Sequence, residues 1–358
     1  MSNDRVVTLL KRYPSRCRYK TPVTSFLLLL VSLAGCSDGR TPLVVYSPHG
    51  RDLLRLAEEI FEAANPDIDL RTLDMGSQEV LDRVRSERIN PQASVWFGGP
   101  SSLFARAAAD SLLEPYRPEW AVATPERGHG RDDMFFSAYQ TVAVIVYNDS
   151  AVSADEAPRD WEDLLDAKWK GKVLIRFPLA SGTMRTLFGM IMLRSLKATG
   201  DTAAGVDWLL RLDAQTRDYT LNPAMLHQKM LRQEGVITMW DLPDILGQRS
   251  RGNPFSYVLP TSGTPVIEDA IAIVRGAKEP EAARRFIEFV GSPAFQLRAT
   301  RDVFRLPARN DLPADSLPQW ARDVLEAMVV EDMDWDVLAE RGPDWMTYWE
   351  RNIQGKGD

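Results

Sequence analysis

Cysteine is nearly absent from this sequence. The 358 residues contain two, Cys17 and Cys36, together with three histidines, His49, His129 and His227. So few cysteines cannot build the disulfide framework that small secreted folds use in place of a large core. Cys17 also lies in a basic leader, which leaves Cys36 without a lasting partner and the body of the chain without a thiol nucleophile. The three histidines sit in unrelated contexts. H-E-x-x-H, G-x-x-x-x-G-K-[ST] and S-x-x-K do not occur, so zinc-peptidase, P-loop and serine–lysine chemistry have no foothold. Long apolar runs are missing as well. Phe26–Leu33 is eight residues with one serine among them, whereas a membrane-spanning helix needs about 20.

What is present begins with that short run. Arg5, Lys11, Arg12, Arg16, Arg18 and Lys20 precede it against a single acid, Asp4, and Leu33-Ala34-Gly35-Cys36 follows it. A positive flank, an apolar core and small residues before a cysteine read as a lipoprotein signal over residues 1–35. Cys36 is then the lipidated first residue of the mature chain. The bland alternative is an ordinary secretion signal with an incidental cysteine. Residues 36–42 are small and polar and suit a tether.

Removing residues 1–35 takes away six bases and one acid, leaving 37 against 49, a net charge of −12. An acidic body argues against nucleic acid and against adhesion to anionic lipid. Attachment to a membrane would come from acyl chains. Roughly 320 residues with this apolar content suit two domains with ample core.

Strand, loop and helix alternate from the start of the body. Leu43–Val45 is apolar and breaks at Ser47-Pro48, and Asp52–Ala64 repeats at helical spacing until Asn65-Pro66. Ile68–Leu73 alternates like a strand, Gln78–Ile89 is helical, and Ala93–Phe97 is a strand ending in Gly98-Gly99-Pro100. This predicts an α/β fold with largely parallel sheets, whose ligand crevice lies at the carboxyl ends of strands. Two β-rich stretches, Phe135–Asn148 and Phe255–Val274, bracket a middle α/β block and predict two lobes joined by a two-strand hinge.

Four segments are candidates for the cleft. The first is Ser47 and His49, in a strand-to-helix loop that Pro48 and Gly50 expose, where the alternative is a solvated histidine. The second is Trp96 with Gly99 and Ser101, competing with a core tryptophan and a helix cap. The third is Ser181, Gly182 and Thr183, whose free backbone N–H groups and hydroxyls suit an anion but also suit plain capping. The fourth is Trp240 with Asp241, an aromatic face and a charge, or a cap for the helix that follows. None of these asks for a catalytic residue, a metal ion or a cofactor.

The chain as a whole resembles the extracellular solute-binding proteins of bacterial ABC importers, in the group of ferric-ion, phosphonate and polyamine receptors. The resemblance runs from about Leu43 to Arg309. VVYSPHG, VWFGGPSSLF and above all GTPVIEDAIAIVRGAKEPEAARRFIEFVGSPAFQ carry it. It implies a lipid-tethered, monomeric receptor of the periplasm or outer cell surface, which binds a small molecule between two lobes, closes, and docks on its permease complex. On that pattern residues 43–140 and 266–306 form one lobe, and 141–265 with 307–358 the other. Ferric receptors of this group use two adjacent tyrosines late in the second lobe. Here that place reads Met239-Trp240-Asp241-Leu242, so the resemblance favours an anionic or zwitterionic organic ligand over iron. A lipid-anchored envelope hydrolase on a related scaffold, or a ferric receptor without the tyrosine pair, are the alternatives.

Overall fold

The computed structural model describes residues 39–357; the leader, the lipobox and Cys36 lie outside the described residues. The first third follows the sequence pattern closely: β1 (Thr41–Ser47), α1 (Arg51–Ala64), β2 (Ile68–Asp74), α2 (Ser77–Ser86), β3 (Val95–Pro100) and α3 (Ser101–Ala109). In α1 the apolar positions Leu53, Leu54, Leu56, Ala57 and Phe61 are buried together, as 3.6-residue periodicity requires. A two-residue strand β4 (Leu113–Glu114) and the thirteen-residue β5 (Phe136–Asn148) come next.

The middle block holds β6 (Val173–Arg176), α4 (Gly182–Thr199), α5 (Ala203–Gln215), β7 (Thr216–Thr220), α6 (Pro223–Leu231), β8 (Ile237–Asp241) and α7 (Leu242–Ser250). The second β-rich stretch is two strands, β9 (Phe255–Val258) and β10 (Val266–Val274), because Pro260–Pro265 turns the chain between them. The chain ends with α8 (Pro280–Val290), α9 (Pro293–Val303), β11 (Leu306–Pro307), α10 (Gln319–Ala327) and α11 (Trp335–Asn352).

The main strands are ordered β2-β1-β3-β10-β5-β8-β6-β7. Pairs β1–β2, β1–β3, β6–β7 and β6–β8 are parallel, the signature of strand–helix alternation. The middle strands alternate in direction: β10 is antiparallel to both β3 and β5, and β5 is antiparallel to β8. The sheet is therefore mixed, with a parallel core on each side and antiparallel strands through its middle. β5 belongs to both sides. Its residues up to Val142 pair with β10, and Ala143–Tyr147 pair with β8. Every residue of β5 is buried.

Alternation along β3 separates two cores. Val95 and Phe97 face one side of the sheet with Phe61 and Phe286, and Trp96 faces the other with Val80, Leu81 and Phe104. A third core gathers Val144, Trp161, Leu174, Phe188, Ile237 and Trp349 around the middle block. Helix α11 packs against both α4 and α3, so it touches each side of the sheet. Gly189 of α4 leaves the space that Leu338 of α11 fills. Among the described residues, no helix is long and apolar enough to cross a membrane.

Candidate functional site

Loops from both sides of the sheet meet over the β5–β10 crossing and enclose a cavity of about 620 Å³. The β1 side contributes Pro48, His49 and Gly50, the start of α2 at Gly76 and Ser77, and Gly99 and Pro100 at the end of β3. The other side contributes Arg176 at the end of β6, Ser181–Thr183 at the start of α4, the turn Leu221–Ala224 into α6, and Trp240, Asp241 and Asp244 where β8 becomes α7. Thr141, Ile267, Asp269 and Arg305 also line it, as do Asp74, Met75, Glu79 and Ala180. Most of these positions are carboxyl ends of parallel strands, where strand-to-helix turns leave backbone groups free.

Seven of the ten sequence-derived candidates line this cavity: His49, Gly99, Ser181, Gly182, Thr183, Trp240 and Asp241. Three are placed elsewhere. Trp96 is fully buried, stacks on Phe104 at 4.1 Å and donates its indole N–H to the Gly98 carbonyl at 2.9 Å. The alternation of β3 turns it into a core, away from the cleft. Ser47 is fully buried, and its hydroxyl accepts the His49 N–H at 3.2 Å, shaping the loop from beneath. Ser101 is buried at the first position of α3.

The wall on the β1 side holds a hydrogen-bond network centred on Asp269, with the buried Tyr139 hydroxyl unpartnered next to it. One carboxylate oxygen accepts the Gly99 N–H at 2.9 Å and faces His49 Nε2 at 3.0 Å; the other accepts the Thr141 hydroxyl at 2.6 Å. Gly98 and Gly99 both have positive φ, 91° and 102°, which glycine adopts without strain. A Cβ at Gly98 would also run into the His49 ring and the Tyr139 hydroxyl.

The opposite wall is less complete. Ser181 caps α4 by accepting the Met184 N–H at 3.2 Å, and Asp241 caps α7 by accepting the Asp244 N–H at 3.1 Å. Both residues thus serve as caps and as lining at once. The Trp240 indole donates to Asp244 at 3.0 Å. Burial, with the Asp244 carboxylate beside it, pushes the Asp241 carboxyl well above the usual range. Burial likewise raises Asp74 at the rim and lowers Arg176, whose guanidinium donates to the Thr220 carbonyl at 3.2 Å.

Arg305 stands out. Its side chain is 7% exposed, yet its nearest carboxylate, Asp244, is 4.0 Å away. Its Nε is buried without any hydrogen-bond partner. Desolvation works against its charge, but its acidic neighbours Tyr139, Asp244, Asp241 and Asp269 outweigh that and move its pKa up. A buried guanidinium held charged and left short of acceptors offers its donors to whatever enters the cleft.

Arg305, Asp244, Asp269 and Arg176 are the charged cleft residues of most consequence among those that sequence reasoning missed. Asp269 had a visible signal, an acidic pair inside the nine-residue apolar strand Val266–Val274. Arg305 had none, because its neighbours come from β5, β8 and α7, far away along the chain. Among the described residues, no group of three or more His, Cys, Asp or Glu side chains could hold a metal ion.

Residues 99–340 match the family model of the bacterial extracellular solute-binding proteins. A "Probable ABC transporter periplasmic-binding protein" of Sinorhizobium fredii is 27% identical over 314 residues, covering 87% of this chain and 86% of that protein. A "Putative 2-aminoethylphosphonate-binding periplasmic protein" of Salmonella typhimurium is 27% identical over 280 residues, 76% of this chain and 79% of its own length. Among solved structures, the periplasmic binding protein AfuA from Actinobacillus pleuropneumoniae, with exogenous fructose-6-phosphate bound, superposes with a TM-score of 0.78. It is 22% identical and is covered in full by 89% of this chain.

Proposed function

Because this chain belongs to the bacterial extracellular solute-binding protein family, we propose that its cleft captures a small zwitterion, an anionic phosphorus group joined to an ammonium. The coarser function follows from the family itself. The protein is a periplasmic or extracellular receptor that binds a small ligand for an ABC transporter, and it is a binding protein, not an enzyme.

The observation that carries the ligand reading is Arg305, a buried cation in the cleft wall without a hydrogen-bonded acceptor and next to the carboxyls of Asp241 and Asp244. A ligand anion supplies the missing acceptor, and an ammonium neutralises the crowded acids beside it. Both halves of the charge pattern call for partners, so a zwitterion fits where a simple anion or a simple amine satisfies only one. The start of α4, with Ser181, Gly182 and Thr183 in the lining, adds backbone donors for the anionic end. The Salmonella relative, whose printed name specifies 2-aminoethylphosphonate, supports the same class.

The reading includes lipidation of Cys36, a monomeric state, and closure of two lobes, residues 43–140 with 266–306 against 141–265 with 307–358. Packing of α11 on both α3 and α4 adds a third connection to the two β crossings.

Thermal-shift titration with aminoalkylphosphonates, phosphate esters, polyamines and ferric citrate tests the ligand class. A zwitterion at 100 times its dissociation constant adds about 2.7 kcal/mol, and phosphate alone or a polyamine alone adds much less. Asp241→Lys abolishes the zwitterion response. Undiminished affinity in that variant removes Asp241 from the site, and a response confined to ferric citrate overturns the reading.

A further inference from the structure

A second cavity, about 650 Å³, adjoins the first. The two share Gly50, Pro223, Ala224, Asp244 and Arg305 in their linings, so they are neighbouring chambers of one cleft. A compact zwitterion such as 2-aminoethylphosphonate has about seven non-hydrogen atoms and fills roughly 200 Å³, taking water's share of about 30 Å³ for each. The first chamber alone exceeds that, and the pair leaves most of the space unused.

The second chamber has its own polar wall. His227 is 6% exposed and lines it, and its Nε2 has no hydrogen-bond partner. The proton on that nitrogen is fixed by a relay: Asn253 Nδ2 donates to Gln248 Oε1 at 2.5 Å, and Gln248 Nε2 donates to His227 Nδ1 at 3.0 Å. With Nδ1 accepting, Nε2 carries the hydrogen and is a donor in want of an acceptor. Burial lowers the His227 pKa, which keeps the ring neutral near pH 7. Arg305 Nε, the other orphaned donor, belongs to a residue shared by both chambers. An unmet buried donor is costly, and two of them border this one space.

From this juxtaposition we infer that the ligand is an extended zwitterion whose anionic group is esterified to a hydroxylated arm, and that the arm occupies the second chamber with its oxygens near His227. The inference rests on the zwitterion reading of the first chamber and adds the ligand's length and the chemistry of its far end.

Isothermal titration of the full chain with glycerophosphoethanolamine and with the ethyl ester of phosphoethanolamine tests it. The two probes share the phosphodiester and the ammonium, and only the first has hydroxyls on its arm. Glycerophosphoethanolamine binds about tenfold tighter or better. His227→Leu brings the two affinities close together, and His227→Gln, which retains a side-chain N–H donor, keeps part of the ratio. Equal affinities in the wild-type protein, or the same ratio in all three proteins, overturn the inference and leave the zwitterion reading standing. Binding of neither probe overturns the inference alone if 2-aminoethylphosphonate still binds, and both readings if it does not.

Discussion

Two buried charges of the cleft, Asp269 and Arg305, stand in opposite states of completion. On the β1 side, Asp269 has both oxygens engaged by Gly99, His49 and Thr141. Arg305, on the same side because α9 packs on α1 and β11 pairs with Gln140 and Tyr139, is nearly as buried but lacks an acceptor at hydrogen-bond distance; across the cleft, Asp241 accepts one backbone N–H while Asp244 crowds it. A charge whose partners are all supplied by the protein holds the loops in place. A charge left short of partners is where a ligand gains most, because binding recovers a desolvation cost already incurred in the empty protein.

The sharpest way to break this contrast is at Arg305. Arg305→Gln is expected to weaken zwitterion binding at least a hundredfold, the scale of losing one partner of a buried charge pair, about 2–5 kcal/mol, with little loss in the unfolding free energy of the empty protein. A variant that unfolds readily but binds normally when folded reverses the roles assigned to Arg305 and Asp269. Asp269→Asn is the complementary change. It sets an amide against the Gly99 donor and the His49 ring, and denaturant titration is expected to show a loss of about 1–3 kcal/mol in stability, with a smaller effect on affinity per folded molecule.

Asp241 gives the next effect through pH. Its raised pKa means that the folded protein keeps this proton where the unfolded chain has lost it. Stability of the empty protein therefore falls as pH rises from about 4, the unfolded value, through the folded one. Asp241→Asn flattens that decline. The ammonium needs the ionised carboxylate, so zwitterion affinity rises over the same window, and a pH series of titrations that runs the other way removes Asp241 as the ammonium's partner. His227 has the opposite sign: its lowered pKa costs stability as pH falls below about 6.5. The smallest effect belongs to the Asp52–Arg251 pair, 3.1 Å apart and exposed on both sides, which joins α1 to α7 beside the second chamber. Arg251→Ala is expected to change affinity or stability by no more than about 1 kcal/mol, and less in high salt.

The sequence made the first six elements legible because their periodicities are clean and Asn65-Pro66 and Gly98-Gly99-Pro100 mark their ends. It also made legible positions that end up in the cleft, since His49 and Ser181–Thr183 follow strands and Gly99 and Trp240-Asp241 end them. Trp96 misled because a strand's final residues alternate between a core and the ligand side, and composition does not say which face a tryptophan takes. Arg305 and Asp244 stayed hidden for a different reason. Their significance is the absence or presence of partners brought together by distant strands, and no local pattern encodes that. The C-terminal helices were illegible for the same cause: α11 owes its place to Gly189 and Leu338, residues well over a hundred positions apart.

β5 has a mechanical consequence. It is an interior strand of both sides of the sheet, buried along its whole length, so neither side can melt without taking the other's middle strand with it. Calorimetry of the empty protein should accordingly record one cooperative transition, although ligand, chain crossings and cores all suggest two bodies. The same shared strand lets a receptor of two parts be stabilised as one by any molecule that binds only where the parts meet.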